Sequence, residues 1–389
     1  MKQIAARMLL GLMAAALTAM SVSAFETRAR AAYILDQTTG TVLLAKNADT
    51  PLPPASMSKL MTLYVTFEAI RDKRLSLAEK LPVSQHAMDY KGSTMFLNTT
   101  DRVVVEDLLR GVIVLSGNDA CAVLAEALSP DGTEAGFAHY MTQRAVQMGM
   151  TNSTFVNSNG WPAPGHRMSM RDLALLANRI ITDFPEFYPM FAETEFKFDG
   201  RAPQNIHNRN PLLGLGIGAD GLKTGHTQEA GYGLVGSAVQ GDRRVIFVVS
   251  GLESVAGRAR EAEAIVNWAF RQFAEKTVIE KDKVLAQAPV WMGDADNVGL
   301  AVSDDVRALL PVPSDGKVAG EIIYQSPVRA PIKKGDELAE LILQPEGLDA
   351  LRVPLVAASD VGRGGFVVKV RTVAGILLDR LNKGPEGAF

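Results

Sequence analysis

The 389-residue sequence predicts an α/β (α+β) fold. A five-stranded antiparallel sheet flanked by helices should come first, then a small all-β domain, then an amphipathic C-terminal helix. Three observations carry this. An early hairpin is answered much later by three strands joined by tight turns. The chain between them has helical periodicity. After about Lys276 short β-like segments alternate with Gly, Pro and Asp. The expected divisions are residues 1–24, 25–276, 277–363 and 364–389.

Residues 1–24 read as a secretory signal peptide. Lys2 and Arg7 are positive, Met8 to Met20 is apolar, and Ser21-Val22-Ser23-Ala24 ends in small residues. The apolar run is short for a membrane anchor, so cleavage after Ala24 is expected. Removing these residues takes away two bases and no acid, moving the formal charge from −3 to −5. A mildly acidic exported chain with no basic, aromatic-interleaved stripe is not built for nucleic acid. The 47% hydrophobic content is ample for real cores. The lone Cys121 lies in an apolar helix and reads as a buried, inert thiol. His86, His139, His166, His207 and His226 show no metal-ligand spacing, so neither metal nor cofactor is expected.

Ala32–Asp36 and Val42–Ala45 flank Gln37-Thr38-Thr39-Gly40, a hairpin by its turn residues. Pro53-Pro54-Ala55-Ser56-Met57-Ser58-Lys59 then opens an apolar run to Ile70 that reads as a helix buried on nearly every side. Ser56 and Lys59, three apart, share one face. A serine hydroxyl needs a base to act as nucleophile, and burial would keep Lys59 largely neutral, able to be that base. First-turn backbone N–H groups could stabilise an oxyanion. The same residues also fit a plain helix cap beside an exposed lysine.

Helices are expected at Val103–Leu115, at Ala120–Leu128 capped by Asn118 or Asp119, at Glu134–Met148, and at Met170–Thr182 capped by Ser169. Asn157–Arg167 reads as loop. Ser116-Gly117-Asn118 falls at a junction between helices, where Ser116 could relay a proton and Asn118 could hold a peptide-like substrate. Strands follow at Gly221–Thr227, Tyr232–Val239 and Arg244–Ser250, then a helix over Glu261–Ala274. Lys223-Thr224-Gly225 lies on an edge-capable strand. There Lys223 offers charge, Thr224 a hydroxyl for a carboxylate, and Gly225 room for a substrate backbone.

The β domain is marked by Val298–Val302, Val306–Leu310, Lys317–Tyr324, Glu340–Leu343 and Leu351–Leu355. In the terminal segment Phe366, Val367, Val370, Val373, Leu377, Leu378 and Leu381 share one helical arc. Lys369, Arg371, Thr372, Asp379, Arg380 and Lys383, four bases and one acid among them, lie opposite. This predicts a helix lying on an anionic membrane surface, with a helix docked on the β domain or a last strand as alternatives.

Ser-x-x-Lys, Ser-x-Asn and Lys-Thr-Gly in this order form the signature of class A β-lactamases and penicillin-binding proteins. The sequence resembles the low-molecular-mass penicillin-binding proteins, the serine-type D-alanyl-D-alanine carboxypeptidases. Pro54–Thr62, Ser93–Leu97, Ser116–Cys121, Asn208–Asn210, Asp220–Thr227 and Asn267–Phe270 all look like that family. The resemblance implies a β-lactamase/transpeptidase-like catalytic domain. It implies Ser56 as the acylated nucleophile, Lys59 as its base, and Ser116 and Asn118 in the cleft. Lys223, Thr224 and Gly225 would form the substrate strand, and the N–H groups of Ser56 and His226 the oxyanion hole. Arg258 would help hold the terminal carboxylate, and Arg209 is a further candidate for cleft electrostatics. The implied partners are the peptidoglycan pentapeptide and β-lactam inhibitors. The implied place is the periplasm, peripheral on the outer face of the cytoplasmic membrane, with the C-terminal helix on the inner-membrane surface. Rivals are a β-lactamase, a DD-endopeptidase and a non-catalytic cell-wall scaffold. The β-lactamase reading is disfavoured by Ser-Gly-Asn in place of Ser-Asp-Asn and by the lack of a Glu-x-x-Leu-Asn segment between Asn118 and Lys223.

Overall fold

A computed structural model describes residues 25–314 and 316–366. The expected signal peptide and residues 367–389 of the expected terminal helix lie outside the described residues. The hairpin forms as β1 (Ala31–Asp36) and β2 (Thr41–Lys46). A 3-10 turn, Ala55–Ser58, leads into α1 (Lys59–Arg71). Ser56 therefore stands just before the α-helix, not in its first turn. All of α1 from Lys59 to Ala69 is buried, as its apolar residues on every side require. Leu60, Leu63 and Phe67 are fully enclosed, each stabilising the fold by about 1.5–3 kcal/mol.

Two short strands, β3 (Lys80–Pro82) and β4 (Arg102–Val104), pair around the single-turn α2 (Gln85–Met88). The apolar run Val103–Leu115 is divided. Val103 belongs to β4, α3 covers Val105–Arg110, and Gly111–Leu115 forms a π-helical turn. The helices α4 (Asn118–Leu128), α5 (Glu134–Gln147) and α6 (Met170–Asp183) follow. Thr133 and Ser169 cap the last two, accepting from the N–H groups of Gly136 and Asp172. Neither Asn118 nor Asp119 caps α4; Gly117 occupies that position. The Asp119 carboxylate instead accepts from the Met95 and Leu97 N–H groups and pins that loop to the helix.

The sheet closes with β5 (Ala219–Thr227), β6 (Gly231–Gln240) and β7 (Arg243–Leu252), in the antiparallel order β2-β1-β7-β6-β5. Its two faces carry separate cores. One packs against the helical middle through Val235, Ile246 and Val248. The other packs Leu234, Phe247 and Val249 against α7 (Val255–Arg271) through Ile265 and Ala269. This last helix begins six residues earlier than the periodicity suggested, because Ser254 caps it. It also ends earlier. Phe273, within the expected helix, opens β8 (Phe273–Ile279) instead.

The β region continues with β9 (Val284–Trp291), β10 (Asn297–Ala301), β11 (Val306–Pro311), β12 (Ala319–Tyr324), β13 (Val328–Arg329), β14 (Glu337–Gln344) and β15 (Leu351–Ala357). Strands β11 and β8 form one ribbon. The others form a sheet in the order β12-β14-β15-β10-β9-β13. The region has its own core around Val298, Leu341 and Leu355. Phe273, Leu309 and Leu348 meet Leu43 and Trp268 where it joins the first domain.

Candidate active site

Ser56 is half-buried in the 3-10 turn, directly after Ala55, whose φ of +50° is in the left-handed region. Such a conformation costs about 1–3 kcal/mol in a non-glycine residue and persists only where surrounding packing enforces it. Two glycines supply that packing. A Cβ on Gly160, itself at φ +81°, would overlap the Ala55 carbonyl oxygen. A Cβ on Gly225 would lie 3.0 Å from both Met57 Cγ and the Pro54 carbonyl oxygen. Gly225 is therefore open toward the turn that carries Ser56.

Lys59 begins α1 with its side chain fully buried. Its Nζ lies 2.8 Å from Ser56 Oγ, 2.7 Å from Asn118 Oδ1 and 2.6 Å from the Asn159 carbonyl oxygen. Asn118 Nδ2 donates to the Lys91 carbonyl at 2.7 Å, which sets the amide so that Oδ1 faces the lysine. Burial is the largest influence on the Lys59 ammonium and lowers its pKa to about 8. The direction is the one the sequence led us to expect. The base form grows as pH rises.

The second serine stands at a strained corner. Ser116, at φ +61°, ends the π-helical turn. Its Oγ accepts from Lys223 Nζ at 3.0 Å, and the same Nζ donates to the Thr224 carbonyl at 3.2 Å. Burial, followed by repulsion from Lys59 and Arg209, pushes the Lys223 ammonium well below its usual range. A substrate carboxylate in the cleft would oppose that shift. Lys223, Thr224 and Gly225 lie on β5, which forms the open edge of the five-stranded sheet.

A cleft of about 340 Å³ is lined by Ser56, Ser93, Asn118, Trp161, His226 and Thr227, among others. The His226 ring stacks on Tyr232 at 3.9 Å between centroids. Arg258, in the first turn of α7, lies over the Tyr232 ring at 5.8 Å and is buried. Its Nη2 donates to the Arg209 carbonyl at 3.3 Å, while its Nε has no partner. Arg209 donates to Ser93 Oγ at 2.5 Å and to the Leu115 carbonyl at 3.2 Å. Among the described residues, no ion pair joins Lys59, Lys223, Arg209 or Arg258 to a carboxylate. These groups make one end of the site electropositive and suited to an anionic ligand.

The candidate residues thus fall into linked groups. Ser56, Lys59 and Asn118 touch directly, as do Ser116 and Lys223. His226 lines the cleft, and Arg258 and Arg209 lie behind it. Sequence reasoning missed the Asn159 carbonyl, the Trp161 cleft wall and the buried Glu134 beneath them. A backbone carbonyl leaves no side-chain signature, and Glu134 resembles any first-turn acid of a helix. Cys121 is buried near both lysines, and burial pushes its thiol up to about 12, in keeping with an inert role.

Residues 18–254 match the family described as D-alanyl-D-alanine carboxypeptidase, and residues 273–363 match the penicillin-binding protein 5 C-terminal domain. The chain is 37% identical over 359 residues to the D-alanyl-D-alanine carboxypeptidase DacC of Escherichia coli, covering 90% of this chain and 88% of that one. Among solved structures, penicillin-binding protein 5 of Haemophilus influenzae superposes with a TM-score of 0.74 at 32% identity. That match covers 87% of this chain and 99% of the other. Penicillin-binding protein D2 of Listeria monocytogenes in its ampicillin-bound form gives 0.56 at 32% identity, over 62% of this chain and 97% of that one. With one family spanning more than half of its length and relatives above 30% identity over most of it, the chain belongs to the D-alanyl-D-alanine carboxypeptidase family of penicillin-binding proteins.

Proposed function

We propose that the protein removes the terminal D-alanine from peptidoglycan stem peptides through an acyl-Ser56 intermediate. The observation that carries this reading is the set of neighbours around Lys59 Nζ. A neutral amine has two N–H groups and one lone pair. Asn118 Oδ1 and the Asn159 carbonyl are both acceptors, so they take the two N–H groups. The lone pair is left facing Ser56 Oγ at 2.8 Å. In the base form Lys59 is thus already oriented to receive the serine proton.

Ser56 Oγ then attacks the carbonyl carbon of the bond between the two terminal D-alanines as its proton passes to Lys59. The oxyanion is held by the N–H groups of Ser56 and His226. The C–N bond breaks, the leaving amine takes a proton relayed through Ser116, and D-alanine departs. Water hydrolyses the ester, with Lys59 again the base. Lys223, Thr224 and Arg258 hold the terminal carboxylate, and Arg209 adds to the field. A β-lactam, itself a cyclic amide, acylates the same serine and leaves slowly. The ampicillin-bound and cefotaxime-bound structures of the Listeria relative support the binding of β-lactams.

The division at residues 25–276 and 277–363, export through residues 1–24, and a periplasmic place at the outer face of the cytoplasmic membrane belong to the same proposal. Among the described residues no helix is long and apolar enough to cross a membrane. We propose that attachment rests on the basic, apolar segment 364–389. The test is mass spectrometry after penicillin treatment, with the adduct mapped, beside D-alanine release from a pentapeptide. An adduct on Ser56 together with D-alanine release is expected. Rapid turnover of nitrocefin without D-alanine release would favour a β-lactamase.

A further inference from the structure

We propose that Glu134 is a positioning residue for acylation: from the start of α5 it fixes the Ser158–Asn159 segment and, with it, the backbone carbonyl that orients the Lys59 amine. The inference rests on the reading of Lys59 as the base for Ser56.

Glu134 is buried and does not line the cleft. Its Oε1 accepts from the Ser158 N–H at 2.9 Å, the Ser158 hydroxyl at 2.5 Å and Asn159 Nδ2 at 3.4 Å. Its Oε2 accepts from the Tyr90 hydroxyl at 2.6 Å and lies 2.7 Å from Nε2 of the half-exposed His86. Burial alone would raise the pKa of this carboxyl. Hydrogen bonds from Ser158, Tyr90 and His86 outweigh it and hold the group below its usual value. Glu134 is accordingly a fixed charge in the neutral range, saturated with donors.

The gripped segment reaches α1 twice. The Ser158 carbonyl accepts from Thr62 Oγ1 at 2.5 Å, and the Asn159 carbonyl accepts from Lys59 Nζ at 2.6 Å. The next residue, Gly160, packs on Ala55 beside the nucleophile. Without the carboxylate, the buried Ser158 N–H and hydroxyl would lose their acceptor, and the segment would have to move to satisfy them. A displaced Asn159 carbonyl would leave one lysine N–H without its acceptor, and the lone pair would no longer be directed at Ser56.

The Glu134 charge acts a second way, by favouring the protonated form of Lys59. The other charged groups acting on Lys59 are Asp119, which acts in the same sense, and Arg209, which opposes; the neutral Cys121 thiol lies nearby. Lys223 repels it. Glu134 itself faces His86 and Tyr90, and His166 feels both Glu134 and Lys59.

Two variants separate grip from charge, read as the rate of Ser56 acylation by penicillin against pH. Glu134→Gln keeps the shape and most hydrogen bonds but removes the charge. Its acid limb should move to lower pH, with the plateau within about threefold of the wild type. Glu134→Ala removes the grip. Its plateau rate should fall about 100-fold, with the non-covalent affinity for penicillin little changed. Both variants acylating with wild-type rates and an unmoved limb, whatever their melting temperatures, would overturn the proposal. If the alanine variant does not fold, Glu134→Asp, whose shorter side chain draws the carboxylate away from Ser158, tests the grip instead, and a wild-type plateau rate there overturns the proposal. A wild-type protein that takes no adduct would overturn the reading of Ser56 and Lys59 as well.

Discussion

Lys223 Nζ lies 3.0 Å from Ser116 Oγ, so each of the two site serines has its own buried lysine. The pairs are not equivalent. Lys59 is surrounded by oxygen acceptors and can be left as an oriented base, whereas Lys223 sits on the sheet edge with Arg258 and Arg209 behind it. In the proposed mechanism the first pair passes the serine proton, while in the second Ser116 relays a proton to the leaving amine and Lys223 meets the substrate carboxylate.

Ser56→Ala should abolish penicillin adducts and D-alanine release. The hydroxyl is half-buried, so the change should alter stability by no more than about 1 kcal/mol. Intact-mass and peptide-mapping measurements check this. A wild-type adduct on Ser58 or Ser116 would defeat the assignment.

Because the Lys59 pKa is lowered to about 8, its base form grows as pH rises through that value. Acylation should climb from pH 6 to about 8 and level off above it, with the lysine largely deprotonated on the plateau. Lys59→Arg should lose about 100-fold or more, since guanidinium stays charged at every pH used. Stopped-flow acylation across this range provides the test, and a flat profile would remove Lys59 from the role of base.

Lys223 and Arg258 should select a free terminal carboxylate. Charged hydrogen bonds of this kind are worth about 1.5–3 kcal/mol, so amidating the substrate should lower kcat/KM by about 10–100-fold. Neutral variants at either position should narrow that gap. Equal rates on acid and amide substrates in the wild type would strengthen the endopeptidase alternative.

Gly160→Ala should hurt both fold and chemistry. Its Cβ would overlap the Ala55 carbonyl, and the residue has φ +81°. A loss of about 2 kcal/mol or more is expected, with acylation falling further because Ala55 precedes Ser56. Thermal melts beside acylation rates separate the two effects.

Deleting residues 365–389 should release the protein from anionic vesicles and leave D-alanine release from a soluble peptide unchanged. The four basic residues Lys369, Arg371, Arg380 and Lys383 contribute roughly 1 kcal/mol each near anionic lipid. Binding by the full chain should therefore weaken as salt is raised. Loss of activity on the soluble peptide would make the segment structural instead.

Local spacing and periodicity made much of this protein legible in the sequence. Ser56 and Lys59 are one turn apart, so their proximity follows from helical geometry alone. The strands from Gly221 to Ser250 announce themselves by their turn residues, and their antiparallel order follows from short connections. The same local logic misplaced the boundaries of α7 and missed β8, because Phe273 fits a helical face and a strand equally well.

Only the tertiary structure decided which groups complete the site. Asn118 looked like a helix cap but spans Lys59 and Lys91. Gly225 packs closely on the turn that carries Ser56. Asn159 supplies a backbone carbonyl 100 residues from Lys59, and Glu134 holds that segment from a third element. Contacts of this kind depend on where separate elements meet and on which buried polar groups need a partner. No pattern within a single stretch of chain encodes that.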